Sequence, residues 1–287
     1  PWSFPASSMP ALLTISYIFF LKNDLGTEIN WWYGILAMIG AVLFQASGNL
    51  IGDYFDFKHK VDRKESFGSS RMLVEGVFQP KTILNFGLSF MFIGVFLGLF
   101  LFFKTGVDLL WIGAIGVLGT YFYYKMKFIA LGDILIFIIY GPLIGLGTAY
   151  VMTSQLHWDV ILLNIPVAFL VVNILHANNT RDIRDDGKAN IKTQAMLLGI
   201  NGAKVQYITL ALGAYVAVAL MVAFGMLHPL TLLVVLTLPI ALKNIKIMQQ
   251  AKVETPELIK NLDAASAQLV MLFTVLFSVA NFIAVVL

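Results

Sequence analysis

The chain of 287 residues contains no cysteine. That excludes disulfides, thiolate metal sites and a cysteine nucleophile. Charge is scarce too. Asp, Glu, Lys and Arg make up 12% of the residues, about half the share in a soluble domain. The four histidines (His59, His157, His176, His228) have no metal-ligand spacing. No Walker or dinucleotide glycine pattern occurs, no signal peptide is visible, and no nucleic-acid partner is expected. The chain begins Pro1-Trp2-Ser3 without a methionine, so a short missing N-terminal stretch is expected.

What the chain does have is apolar residues: 59% of the total, with a mean hydropathy of +0.84. This composition describes a polytopic all-α integral membrane protein. A spanning helix needs about 20 mostly apolar residues. Nine candidate stretches follow: 5–22, 31–51, 81–103, 107–124, 131–152, 158–178, 203–225, 228–250 and 264–287. In the eighth, Lys243 and Lys246 would snorkel to the interface. Of the 19 basic residues, only Lys22 and Lys104 fall on one side of the arrangement. The other side collects Lys58 to Lys81, Lys125 and Lys127, Arg181 to Lys204, and Lys243 to Lys260. By the positive-inside rule, that pattern predicts a bundle of nine transmembrane helices with a cytoplasmic N-terminus. Residues 1–287 then form one transmembrane domain, with cytoplasmic cap loops over about 53–80 and 180–202.

Within this apolar chain one polar pattern occurs twice. The first copy is Asn49, Asp53 and Asp56, followed by Asp62. The second is Asn178, Asp182, Asp185 and Asp186. Both contain Asn-x3-Asp-x2-Asp. Carboxylates near a bilayer are costly and point to function. Four crossings separate the copies, so both lie on the cytoplasmic face, as in a parallel repeat of about four helices with a ninth added. On a helix, positions i, i+4 and i+7 share a face. Asn49, Asp53 and Asp56 therefore project together, as do Asn178, Asp182 and Asp185. Asp186 falls beside Asp182, and Asp62 sits in the loop.

Two such faces brought together would repel strongly, and a pair of Mg²⁺ ions would resolve the repulsion. Mg²⁺ takes carboxylates together with substrate phosphate oxygens. Asparagine bonds phosphate or metal-bound water without adding charge. Lys58, Arg71, Arg181, Lys188 and Lys192 follow the acidic clusters and can hold outer phosphate oxygens. The constellation describes a diphosphate gripped at the cytoplasmic end of a lipid-lined cavity. If that diphosphate leaves an allylic carbon, a cation remains, and aromatic faces stabilise cations. Tyr121 to Tyr124, Phe137 and Tyr140 are candidates, with ordinary packing or an interface belt as the plain alternative. Asp133 is expected to begin a helix, with a site role as the alternative. His176, just before the second motif, is a candidate substrate contact.

These residues carry a resemblance. The stretches Asn49-Leu-Ile-Gly-Asp-Tyr-Phe-Asp-Phe-Lys-His-Lys-Val-Asp62 and His176-Ala-Asn-Asn-Thr-Arg-Asp-Ile-Arg-Asp-Asp186 resemble the UbiA superfamily of intramembrane prenyltransferases. So do Pro1-Trp-Ser-Phe-Pro-Ala-Ser at the start and Gly132-Asp133 followed by Gly141-Pro142. The resemblance implies the nine-helix fold of that superfamily. The gap from Asp53 to Asp62, Asn178-Asn179-Thr-Arg-Asp and Lys192-Thr193-Gln-Ala-Met-Leu-Leu-Gly199 resemble the branch that prenylates 1,4-dihydroxy-2-naphthoate in menaquinone synthesis. Many relatives have Asn before the first Asp, where this chain has Gly52.

The resemblance implies Mg²⁺-dependent transfer of a polyprenyl group from its diphosphate to the naphthoate ring, with loss of carbon dioxide, giving demethylmenaquinone. Asp53, Asp56, Asp182 and Asp186 would bind two Mg²⁺ ions, supported by Asp62 and Asp185. Asn49 and Asn178 would orient diphosphate. Lys58, Arg71, Arg181 and Lys192 would bind phosphate or the acceptor's carboxylate. The implied partners are polyprenyl diphosphate, a small aromatic acceptor and membrane lipid. The implied location is a bacterial inner membrane. Other acceptors known in the superfamily remain open, 4-hydroxybenzoate and homogentisate among them. A transporter would need paired helix breaks that the sequence does not mark. A CDP-alcohol phosphotransferase would keep its aspartates in one continuous motif.

Overall fold

The computed structural model describes residues 3–61, 71–189 and 191–287, the Arg71 side chain excepted. The described residues are almost wholly helical. In chain order the helices are α1 Pro5–Phe20, α2 Trp31–Lys58, the short α3 Arg71–Val74, α4 Pro80–Thr105 and α5 Asp108–Phe128. Then come α6 Gly132–Thr153, α7 Asp159–Arg181, the short α8 Ile183–Lys188, α9 Gln194–Ala223, α10 Pro229–Gln249 and α11 Leu262–Ala284. Asp62 lies outside the described residues.

Among the described residues, seven helical stretches are long and apolar enough to cross a membrane. They are α2, α4, α6, α7, α9, α10 and Pro256–Ala284, which contains α11. The expected nine stretches all fall on helix. However, α1 has only 16 residues, and α5 is not among the seven.

Three local departures have physical causes. First, α2 runs past the expected end to Lys58. Its cap residue Asn30 accepts a bond from the Tyr33 N–H at 3.2 Å, which starts it cleanly. Second, α6 is interrupted by a wider turn over Ile139–Leu143, with Tyr140 at φ −87°, ψ 19°. Pro142 lacks an N–H, and its ring crowds the carbonyl four residues back, so the helix widens. Third, the helix that carries the second motif is interrupted at Asp182. α7 ends at Arg181, Asp182 turns out of the helix at ψ 7°, and Asp185 and Asp186 begin a new short helix.

α7 is the central helix, buried along almost its whole length. α1, α9 and α11 pack around it, and Leu13, Val167, Val218, Phe273 and Phe277 form the core they share. α4 instead turns Phe92, Phe96 and Phe103 outward, as a lipid-facing helix does. Polar side chains bridge the helices inside the bundle. Asn164 bonds Thr14 at 3.0 Å, Asn281 bonds Ser16 at 3.1 Å and Tyr207 bonds Ser266 at 2.7 Å.

α6 approaches α7 closely through Gly141 and Gly145. A Cβ there would overlap Ala168 and the Asn164 side chain respectively. We expect Gly145→Leu to destabilise the bundle by about 1–3 kcal/mol through overpacking. Thermal unfolding of detergent-purified protein checks this, and a parental melting temperature would contradict the close approach.

Helices α2, α5 and α7 run in the same direction. At their N-terminal ends stand Trp31, Trp32, Trp111 and Trp158, with Trp111 stacked on Trp158 at 6.4 Å. At their C-terminal ends stand Asp53 and Asp56, Lys127, and Asn178. The Asp56–Lys127 ion pair joins α2 to α5 at that end. Tryptophan favours a membrane–water interface, so the motifs gather at the end of the bundle opposite an aromatic belt.

Candidate active site

The first motif projects from one face of α2. Asp56 Oδ2 accepts from Lys127 Nζ at 3.1 Å, with both side chains 19% exposed. Phe55 stacks on Tyr124 at 4.0 Å, fixing α2 against α5 at the same level. Two turns before Asp56, Asn49 Nδ2 donates to Ser3 Oγ at 3.4 Å, and one turn before that Gln45 Nε2 donates to the Ser3 carbonyl at 2.8 Å. The start of the chain therefore closes over this face of α2.

The second motif meets the first from α7 and α8. Asp186 is buried, and its Oδ2 has no hydrogen-bond partner. Burial pushes its carboxyl up to about 7; Lys127 opposes this, while the charges of Asp182, Asp56 and Asp185 add to it. Asp56 and Asp186, from opposite motifs, thus lie close enough to act on each other, with the Lys127 ammonium acting on both. Arg181 is committed elsewhere. Its Nε and Nη2 donate to the two oxygens of Asp182, each at 2.8 Å. Its Nη1 donates to Asp263 Oδ2 at 3.1 Å and to the Lys260 carbonyl at 3.2 Å.

A cavity of about 580 Å³ opens beside the acidic groups. Asn49, Asp53, Asp56, Tyr123, Tyr140 and Asn178 line it, with Ile136, Ile139, Val171 and Leu175 on its apolar side. A second, almost wholly apolar groove of about 540 Å³ runs between α2, α4, α5 and α6, past Phe44, Leu97, Phe102 and Val117. Thr120, Ile139 and Tyr140 line both spaces. The Pro142 turn in α6 therefore sits where a polar head space meets an apolar channel.

The expected residues divide accordingly. Asn49, Asp53, Asp56, Asn178 and Tyr140 face the cavity. Asp182 is clamped by Arg181, Asp186 is buried beside Lys127, and Asp185 pairs with Lys188 at 3.3 Å. Arg181 is buried and bonded at every nitrogen, so it does not present itself to phosphate. Lys58, Lys188 and Lys192 are exposed. Lys58 lies over the Tyr54 ring at 5.9 Å, and the Lys192 backbone bridges Ile129. Tyr121 is exposed against Phe122, and Tyr123 takes the cavity position instead.

Asp133 and His176 are buried away from the cavity. His176 Nδ1 meets Asp133 Oδ2 at 2.9 Å, and Asn179 and Gln206 each donate to Asp133 at 3.1 Å. Lys127, which the sequence offered only as a topology signal, bonds Asp56 of the first motif, and of the candidate rings Tyr121 to Tyr124 it is Tyr123 that lines the cavity. The signal for Lys127 was its i, i+4 spacing from Tyr123 in the last turns of α5.

The donors suit a hard cation. All are oxygens, and Asp186 carries a buried oxygen with no partner. Among the described residues no three Asp, Glu or His side chains converge tightly enough to hold an ion unaided. An ion here needs ligand oxygens from a substrate as well, which is how Mg²⁺ is usually bound: one or two carboxylates plus substrate phosphates.

The model of the UbiA prenyltransferase family matches residues 11–260. The chain belongs to that family. A UbiA relative, the 1,4-dihydroxy-2-naphthoate octaprenyltransferase of Bacillus subtilis, is 31% identical over 252 residues, covering 86% of this chain and 79% of that protein. The UbiA prenyltransferase domain-containing protein 1 of Mus musculus is 32% identical over 222 residues, covering 75% of this chain and 64% of its own length. The chain thus spans just under two thirds of that animal relative. Two solved structures share the UbiA fold. An apo UbiA homologue from Aeropyrum pernix K1 aligns with TM-score 0.69 at 16% identity, over 96% of each chain. A homologue from Archaeoglobus fulgidus, bound to GPP and Mg²⁺, aligns with TM-score 0.63 at 15% identity, over 97% of each.

Proposed function

We propose that this UbiA family member transfers a polyprenyl group from polyprenyl diphosphate to 1,4-dihydroxy-2-naphthoate. The allylic C–O bond breaks, diphosphate leaves, and the ring carbon bearing the carboxylate forms the new C–C bond and loses carbon dioxide. The observation that carries this reading is that Asn49, Asp53 and Asp56 of the first motif and Asn178 of the second line one polar cavity, which shares Thr120, Ile139 and Tyr140 with an apolar groove. A charged head with a long apolar tail fits that pair of spaces. The Bacillus subtilis relative supports the naphthoate acceptor, and the Mg²⁺ and GPP bound by the Archaeoglobus fulgidus homologue support the donor chemistry.

Within this reading, Asp53, Asp56, Asp182 and Asp186 hold two Mg²⁺ ions, and Asp185 and Asp62 support them. Bound Mg²⁺ neutralises the charge that develops on the departing diphosphate. Asn49 and Asn178 orient that diphosphate from opposite walls. Lys127 adds a point charge to the same anion. Tyr123 and Tyr140 present aromatic faces where the allylic cation forms, and the walls of α6 and α7 keep water from it. The acceptor enters as its phenolate. The pattern of basic residues supports nine crossings, with α1 and α5 completing the seven stretches and the motifs on the cytoplasmic side of a bacterial inner membrane.

Purified protein incubated with geranyl, farnesyl and longer polyprenyl diphosphates and with either 1,4-dihydroxy-2-naphthoate or 4-hydroxybenzoate tests the reading. Mass spectrometry is expected to find a prenylated, decarboxylated naphthalene product that forms only with Mg²⁺. Product from 4-hydroxybenzoate alone would replace the acceptor, and absence of Mg²⁺-dependent diphosphate release would end the transferase reading.

A further inference from the structure

We infer that Asp263, at the start of α11, is a positioning residue that aims the Asp182 carboxylate at the cation site through Arg181. The inference rests on the two-motif metal site proposed above and extends it to a helix outside both motifs.

Asp182 stands where α7 ends; its N–H donates to the Asn178 carbonyl at 2.9 Å and its carbonyl accepts from the Asp186 N–H at 2.8 Å, so the backbone is held and only the side chain is left to be aimed. Left alone, its carboxylate would sample several rotamers. Arg181 removes that freedom with two parallel bonds of 2.8 Å. Such a fork fixes both the plane and the direction of a carboxylate. It uses one lone pair on each oxygen and leaves the other two free. A carboxylate held this way can still coordinate a cation, and Arg181 becomes an orienting group instead of a phosphate ligand.

An arginine next in sequence cannot orient its neighbour unless something holds the arginine. Here that something is α11. Asp263 Oδ2 accepts from Arg181 Nη1 at 3.1 Å, and the Lys260 carbonyl accepts from the same nitrogen at 3.2 Å. Asp263 is itself fixed, because its Oδ1 accepts from the Ala264 N–H at 2.7 Å. Both its oxygens are used, and the residue is buried. The chain of contacts runs from a rigid helix start, through a buried guanidinium, to a carboxylate of the second motif. Groups that hydrogen-bond a metal ligand typically affect metal affinity or activity by 10–100-fold.

The experiment measures Mn²⁺ binding, with inorganic diphosphate present, by electron paramagnetic resonance on detergent-purified full chain. It compares the parent with Asp182→Asn, Asp263→Asn and Arg181→Lys. Arg181→Lys keeps the charge and loses the fork, so it decides the matter if Asp263→Asn does not fold. Asp182→Asn is expected to lose tight Mn²⁺ binding. Asp263→Asn and Arg181→Lys are each expected to weaken it by about 10–100-fold, and the double variant by no more than the worse single, since both act on one carboxylate. Parental Mn²⁺ affinity in folded Arg181→Lys or Asp263→Asn overturns the inference, even if melting temperature falls. Parental affinity in Asp182→Asn overturns the two-motif site itself, so the two failures are distinguishable.

Discussion

Asp53→Asn and Asp186→Asn are expected to lower kcat/KM for prenyl diphosphate by about a thousand-fold each. Metal assistance to a leaving diphosphate is worth several kcal/mol, and each 1.36 kcal/mol is about tenfold in rate. The two variants should then differ in stability. Asp186 is buried, with an unpartnered oxygen and a carboxyl pushed up to about 7. A carboxyl whose folded value is raised binds more protons in the folded chain than in the unfolded one. The metal-free fold therefore loses stability as pH rises from the ordinary carboxylate range through about 7. An amide removes that burden. In EDTA at pH 8, Asp186→Asn should melt no lower than the parent, while losing the stabilisation the parent gains from Mg²⁺ with diphosphate. A structural carboxylate would behave the opposite way, losing stability and keeping turnover. Near-parental turnover in both variants would remove the two-metal assignment.

The first motif was legible because α2 is one uninterrupted helix past Asp56, so the spacing of Asn49, Asp53 and Asp56 translated directly into a shared face. The second copy has the same spacing and a different outcome. Its helix stops at Arg181, whose guanidinium doubles back on Asp182 and reaches across to Asp263. Nothing local to Asn178–Asp186 announces a partner so distant in sequence. The aromatic run failed for a related reason. Four consecutive rings carry no phase, and the rotation of α5 is set by Gly119 packing against Ile139, which turns Tyr123 inward and Tyr121 out. Hydropathy located the long helices, yet it could not make α1 long enough or α5 apolar enough to join the seven clear spans. The two largest surprises, Lys127 and Arg181, are both cations. In the sequence, a lysine that marks the cytoplasmic side and one that enters a site look the same.

Lys127→Met should cost about a hundred- to a thousand-fold in kcat/KM, comparable to the loss of an electrostatic donor at a developing anion. The side chain is four-fifths buried at the end of α5, bonded to Asp56 at 3.1 Å and within electrostatic reach of Asp186. An ammonium between two carboxylates has two possible duties: holding the motifs together, or gripping the anion that binds between them. The duties separate experimentally. If Lys127 only offsets Asp56, Lys127→Met lowers the melting temperature, and Asp56→Asn combined with it restores stability, because the buried carboxylate no longer lacks a partner. KM for prenyl diphosphate then stays parental in the single variant. If Lys127 grips the diphosphate, KM rises at least tenfold in Lys127→Met. Raising Mg²⁺ then recovers part of the loss, since more cation substitutes for the missing charge. Under the second duty, charge and ring would act on one substrate from one helix, because Tyr123, one turn before Lys127 on α5, lines the cavity beside Asp53 and Asp56.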